Sequence, residues 1–366
     1  MNGAGREALL AAFLDRCGWG AARRRPLAVD ASTRHYLRLA GKAGTAVLMD
    51  APPDAETRSC PADATPEQRT ELGYNAVARL AGADVHAFAS FASELVARGF
   101  SAPKVLAADA ANGFLLLEDL GDDLFARMAD SGAVPVRDLY ESATDCLAAL
   151  SRCSFDARLP TGHADWLVQD YDHTALLAET QLMGAWYAPY RGTAPEAEAL
   201  AEADVLWEKA FAVLDDLPSV LVLRDFHAQN LLWLDKRSGI ARTGLLDFQD
   251  ALFGSPAYDL VSMVQDSRRI LPDGLEQAMI ARFIDKARLT DEQAFTVNYA
   301  VLGAQRAAKV LGIFVRLARR DNKPLYLKYL PIAAHNLVRS LQHNHLHDLR
   351  AWMQRHVPAV FDEQIP

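Results

Sequence analysis

The stretch from Leu221 to Asp250, LVLRDFHAQNLLWLDKRSGIARTGLLDFQD, constrains this chain more than any other. Two short apolar runs, Leu231–Leu234 and Thr243–Leu246, flank the polar segment Asp235–Arg242, the pattern of a β-hairpin with a loose tip. Asp225 and Asn230 stand just before the first run, and Asp247 just after the second. A hairpin returns its two ends to one place, so Asn230 and Asp247 are expected side by side with Asp225 nearby. Two hard oxygen ligands and a separate carboxylate suit Mg²⁺-assisted phosphoryl transfer. The cation takes the oxygens, and the free carboxylate orients or deprotonates an attacking hydroxyl.

With 366 residues, 51% of them hydrophobic and 23% charged, the chain has ample size for a core and an ordinary soluble composition. A net charge of −9 argues against general nucleic-acid binding, which wants a basic face. No apolar run reaches the length of a membrane span, and Arg6, Glu7 and Asp15 interrupt the N-terminal one, so neither membrane nor secretory signal is expected. Cys17, Cys60, Cys146 and Cys153 lack CxxC spacing and read as reduced thiols of a cytoplasmic protein. Neither a G-x-x-x-x-G-K-[ST] nor a G-x-G-x-x-G motif is present. Spacing of two among His343, His345 and His347 does not converge on one helix face.

Upstream of the hairpin the pattern is mixed. Arg6–Cys17 has helical spacing ended by Gly18 and Gly20; Leu27–Val29, Tyr36–Ala40 and Thr45–Met49 read as a three-strand meander. The first part of Ala51–Gly82 reads as a loop, and Asp84 to Arg98 as a helix with Asp84 its N-cap. Lys104–Ala108 and Gly113–Leu117 form a hairpin about Asn112-Gly113. From Asp122 onward the chain is mostly helical: Val136–Arg152, Asp172–Tyr187, Pro195–Leu214, Ala257–Asp266, Gly274–Ala287, Asp291–Leu317, Tyr326–Gln342 and His347–Arg355.

The order Leu223-Arg224-Asp225, Asn230, Asp247-Phe248-Gln249 resembles the catalytic loop and metal-binding Asp of the protein-kinase-like superfamily. The form R-D-F-H-x-x-N-L with D-F-Q is similar to its aminoglycoside phosphotransferase and choline kinase branch. That resemblance implies an α+β, bilobal fold: a small β-rich N-lobe with hinge over residues 1–120 and a larger, mostly helical C-lobe over 121–366. It implies ATP and Mg²⁺ as cofactors, Asp225 as catalytic base, and Asn230 and Asp247 as metal ligands. The turn Asp30–His35, with Ser32, Thr33 and Arg34, would cover the nucleotide phosphates. Glu118 and Leu120 would present backbone to the adenine. No lysine ends the third strand, Val47-Leu48-Met49-Asp50, where the superfamily has one, so Arg34 or Arg38 would supply that charge. Arg224 would pair with a carboxylate, and Asp259 would brace the catalytic loop. The acceptor would meet Glu179, Trp186, His227, Asp266 and Arg268. The phrases Asp30-Ala31-Ser32, Leu48-Met49-Asp50-Ala51-Pro52-Pro53 and Asp247-Phe248-Gln249-Asp250-Ala251 resemble one bacterial subgroup, the anomeric kinases of N-acetylmuramate and N-acetylglucosamine. An aminoglycoside- or choline-type kinase and a non-catalytic nucleotide-binding pseudokinase are the rival readings.

Overall fold

Alternating apolar residues and glycine turns build a five-stranded antiparallel sheet in the computed structural model, which describes residues 3–27, 33–55, 60–160 and 165–363. Its strands are β1 (Arg23–Pro26), β2 (His35–Gly41), β3 (Gly44–Asp50), β4 (Val105–Asp109) and β5 (Phe114–Glu118), in the order β1-β2-β3-β5-β4. The helix Gly3–Arg16 lays Leu10, Phe13 and Leu14 on Leu39, Leu48, Phe114 and Leu116 of this sheet, so its apolar face is buried. Gly113 holds the β4–β5 turn at φ +71°; a Cβ there would meet Ala51 O at 1.9 Å, so only glycine fits.

The first strand starts earlier than Leu27–Val29. Arg23–Arg25 pairs with Ala40–Arg38, and Leu27 N–H still donates to Tyr36 O, while Ala28 and Val29 lie outside the described residues. An exposed edge strand needs no apolar side chains, which is why three arginines concealed it. Midway through Ala51–Gly82, whose first part reads as a loop, Pro66–Leu72 is a helix. Thr65 and Gln68 close a capping box at its start, a local signal that outweighs the proline-rich surroundings.

The chain packs into two compact units. The first comprises Met1–Ser131, Phe155–Val168 and Asn230–Asp250; the second comprises Gly132–Ser154, Gln169–Gln229 and Ala251–Pro366. The division drawn from sequence at residue 120 therefore differs from the packing, because the hairpin β6 (Leu231–Trp233) and β7 (Thr243–Leu245) joins the sheet-bearing unit. Leu245 N–H donates to Ser101 O, and Leu232 bridges Leu124.

In the second unit, Val136–Leu150 buries Leu139, Ala143, Leu147 and Leu150 and packs on Leu275–Ala287. Three further helices matter for the site: α1 (His173–Leu182), α2 (Ala257–Val264) and the long α3 (Glu292–Arg319). After α1 the chain makes one π-helical turn, Met183–Tyr187. The short strands Val220–Val222 and Leu252–Gly254 pair antiparallel. Among the described residues, no helix is long and apolar enough to cross a membrane.

Candidate active site

The loop after Val222 is held from three sides within the second unit. Asp259, in the first turn of α2, accepts the backbone N–H groups of Leu223 (2.6 Å) and Arg224 (2.9 Å). Burial pushes its carboxyl up to about 7 despite those two donors. Arg224 stands at φ +69° and turns its guanidinium inward to Glu179 of α1, over the ring of Tyr171. Glu179 also takes Lys309 Nζ at 2.8 Å, Gln305 Nε2 at 2.9 Å and the Tyr171 hydroxyl. Burial would raise its carboxyl, but Lys309 and Arg224 hold it down at about 2. Glu179 is 1% exposed with all these partners inside the protein. Its expected contact with substrate gives way to a packing role: it ties the loop after Val222, through Arg224, to Gln305 and Lys309 of α3.

Asp225 follows this anchored arginine and is half-buried. Burial acts to raise its carboxyl, yet Lys309 and Arg306 outweigh that and keep it below the usual carboxylate range. It is therefore ionised, the state a proton acceptor needs. His227 is buried two residues on; desolvation lowers it to about 4, so its imidazole is neutral near pH 7. Asp266 and Arg268, beyond the end of α2, line a polar pocket together with Arg306. Trp186 sits half-buried on the π-helical turn.

The first unit carries the other half of the predicted set. Leu231–Leu245 pairing closes the hairpin as expected, and Asn230 Nδ2 lies 3.4 Å from Asp247 Oδ2. Asp247 adopts φ +57°, and Gln249 Nε2 donates to its Oδ1 at 2.9 Å. Here the amide nitrogen of Asn230 faces the carboxylate; with the amide turned over, its oxygen and the Asp247 carboxylate would be the hard donors that Mg²⁺ prefers. Arg34, 8% exposed, reaches the same carboxylate: Nη1 is 3.7 Å from Asp247 Oδ1 and Nη2 donates to Gly82 O. Arg38 is engaged elsewhere, in ion pairs with Asp119 and Asp122. Thr33 is exposed beside Arg34, and Ser32 lies outside the described residues. Glu118 pairs with Arg237 at 2.9 Å and donates its N–H to Lys104 O, and Leu120, two residues on, is half-buried.

Residues 23–293 match the phosphotransferase enzyme family. The chain belongs to that family. A Caulobacter vibrioides protein named N-acetylmuramate/N-acetylglucosamine kinase is 42% identical over 354 residues, 97% of each chain. A Pseudomonas aeruginosa protein of the same name is 31% identical over 337 residues, 87% of each. Among solved structures, the GDP complex of an aminoglycoside 2′-phosphotransferase mutant superposes with a TM-score of 0.58 at 13% identity, covering 90% of this chain and 98% of that one. An ADP-bound aminoglycoside phosphotransferase gives 0.52 at 13% identity over 93% and 99%. The fold is thus the protein-kinase-like one, and the chain is a small-molecule kinase that phosphorylates a hydroxyl group.

Sequence reasoning overlooked Arg306, Lys309 and Gln305. Their signal was present: two cations three residues apart inside the apolar run of α3 share one helix face, and buried cations need partners.

Proposed function

We propose that the chain is an ATP- and Mg²⁺-dependent kinase of the anomeric hydroxyl of N-acetylmuramate and N-acetylglucosamine, working in the cytoplasm. The observation that carries this reading is the 42% identity to the Caulobacter protein of that name across 97% of both chains. Asp225 accepts the proton of the C1 hydroxyl as its oxygen attacks the γ-phosphorus; the bond to the β,γ-bridging oxygen breaks and ADP departs. A hemiacetal hydroxyl is more acidic than an ordinary alcohol, so a carboxylate held below its usual range suffices as base. Asn230 and Asp247 would hold Mg²⁺, which when bound would supply charge neutralisation at the transferring phosphoryl group. Arg34 stands in for the third-strand lysine, a role supported by its burial beside Asp247. Backbone near Thr33 approaches the phosphates, and the segment Glu118–Leu120 receives the adenine.

The test is ADP release coupled to a chromogenic assay, with N-acetyl amino sugars, aminoglycosides and choline as acceptors. Turnover is expected with the N-acetyl sugars, and Asp225→Asn should lower kcat by about 10²–10⁴-fold. Turnover confined to aminoglycosides or choline would overturn the amino-sugar reading; ATP binding without turnover on any acceptor would mean a pseudokinase.

A further inference from the structure

Within the first unit, Asp250 ties the turn Ala81–Asp84 to the end of the β6–β7 hairpin. Its Oδ1 accepts the backbone N–H of Ala81 at 2.6 Å. The turn closes on itself, because Asp84 N–H donates to Ala81 O, and Gly82 inside it stands at φ +61°, a conformation glycine adopts freely. Asp84 then caps the helix Val85–Ala97, whose Phe88 stacks on Phe248. Fixing Ala81 therefore helps fix the carbonyl of Gly82, and that carbonyl takes Arg34 Nη2 at 2.9 Å.

These contacts close into a ring. Gln249, 3% exposed, donates through Nε2 to Asp250 Oδ2 at 3.3 Å and to Asp247 Oδ1 at 2.9 Å. An amide that serves two carboxylates must face them with its nitrogen, so the partners settle its orientation. Arg34 Nη1 lies 3.7 Å from the same Asp247 oxygen, and Arg34 also hydrogen-bonds the hydroxyl of Tyr36 on β2. The path runs Asp247–Gln249–Asp250–Ala81–Gly82–Arg34 and back to Asp247. Arg34 sits deep in it, its side chain 9% exposed against 41% for Asp247. A guanidinium on a long flexible stem offers its fork in one direction only where neighbouring acceptors hold it. Gly82 O is one such acceptor, and its own place depends on Asp250.

We propose that Asp250 is a positioning residue for nucleotide binding: through Ala81 and Gly82 it aims the Arg34 guanidinium at the nucleotide phosphates. The proposal rests on the reading of Arg34 given above, as the cation that replaces the third-strand lysine. Asp250 acts through backbone, so its loss enters through phosphate affinity and is not additive with the loss of Arg34.

The experiment measures ADP and adenosine binding by calorimetry in EDTA, so that no metal contributes. It compares wild type, Arg34→Met, Asp250→Ala, Asp250→Asn and the double variant Arg34→Met/Asp250→Ala, with thermal melts confirming that each folds. Arg34→Met should weaken ADP by about 10–100-fold, the range of a lost charge-assisted hydrogen bond. Asp250→Ala should weaken it by at least about 3-fold, with adenosine unchanged in both. Asp250→Asn keeps an oxygen for Ala81 N–H and should recover most of that loss. The double variant should bind ADP no more weakly than Arg34→Met alone. Unchanged ADP affinity in Asp250→Ala, an equal loss there on adenosine, or additive losses in the double variant would overturn the positioning role while leaving Arg34 as the phosphate ligand. Unchanged ADP affinity in Arg34→Met would overturn both, and a wild-type chain that binds no ADP would overturn the kinase reading itself. Should Asp250→Ala fail to fold, Gln249→Met removes the donor that holds Asp250 and is read against the same outcomes.

Discussion

Arg224 and Asp247 hold φ values of +69° and +57°, conformations that cost a non-glycine residue about 1–3 kcal/mol each. In each case the backbone turn aims a side chain: Arg224 into Glu179, Asp247 toward Asn230. His227 offers a titration that checks the packing beneath the base. Its folded pKa of about 4 lies below the ordinary 6.5, so between those values the unfolded chain binds a proton that the folded chain refuses. The stability this contributes is present above pH 6.5 and is lost as pH falls toward 4. Asp259 acts in the opposite sense: raised to about 7, it favours the fold at low pH and loses that contribution as pH rises through 7. The difference between wild type and His227→Gln cancels the Asp259 part. Urea unfolding should show that difference shrinking by on the order of 3 kcal/mol from pH 7 to pH 4; a flat difference would contradict the buried neutral imidazole. At this scale the sequence was legible where function is local. The hairpin that Asn230 and Asp247 bracket was legible in its two apolar runs, and the structure closes it with those two residues 3.4 Å apart. Glu179 was misread because its partners Arg224 and Gln305 stand 45 and 126 residues away, and nothing local announces such a meeting.

The element on which these distant partners meet is α3. Its 28 residues place Gln305, Arg306 and Lys309 against α1 and the loop after Val222, and lower down Gly312 lets it approach α1 closely. A Cβ at Gly312 would fall 2.3 Å from the backbone carbon of Leu182 and 2.4 Å from its oxygen. Helix propensity alone would credit Gly312→Ala with up to about 1 kcal/mol of added stability. Overpacking against backbone costs about 1–3 kcal/mol, and backbone cannot rotate away as a side chain can. The clash wins, so calorimetry should show Gly312→Ala melting several degrees below wild type; a raised Tm would mean that α1 yields freely. Leu182 is also where the chain leaves α1 for the π-helical turn that carries Trp186. Helix periodicity ran correctly from Asp172 to Tyr187, but a π turn keeps nearly the same apolar spacing and was invisible to it. The Pro66–Leu72 helix was legible in Thr65 and Gln68, yet proline and alanine around it masked the capping box.

For the whole molecule, the chain leaves and re-enters its two units repeatedly, at 131/132, 154/155, 168/169, 229/230 and 250/251. A cut at residue 120, where composition turns helical, follows a real change in sequence but not the packing. The first unit depends on a hairpin that arrives more than a hundred residues later, because parallel needs of chemistry and burial are met by the same strands. Leu231, Leu232 and Leu245 are each 1–2% exposed, and Phe248 is fully buried with its ring 4.7 Å from Phe88. At roughly 1.5–3 kcal/mol for each large apolar side chain, those four account for about 6–12 kcal/mol of burial. That matches the entire net stability of a typical domain, about 5–15 kcal/mol. A fragment of residues 1–120 keeps all five sheet strands but exposes the surfaces of Ser101, Phe88 and their neighbours that the hairpin covers. It should therefore lack a cooperative melt by circular dichroism and be cleaved readily by protease. Adding residues 230–250 as a separate peptide restores the missing side chains only at the entropic cost of association, so it should bind weakly if at all. A 1–120 fragment that melts sharply on its own would show that the sheet and the Gly3–Arg16 helix suffice, and that the hairpin serves the chemistry without supporting the unit that holds it.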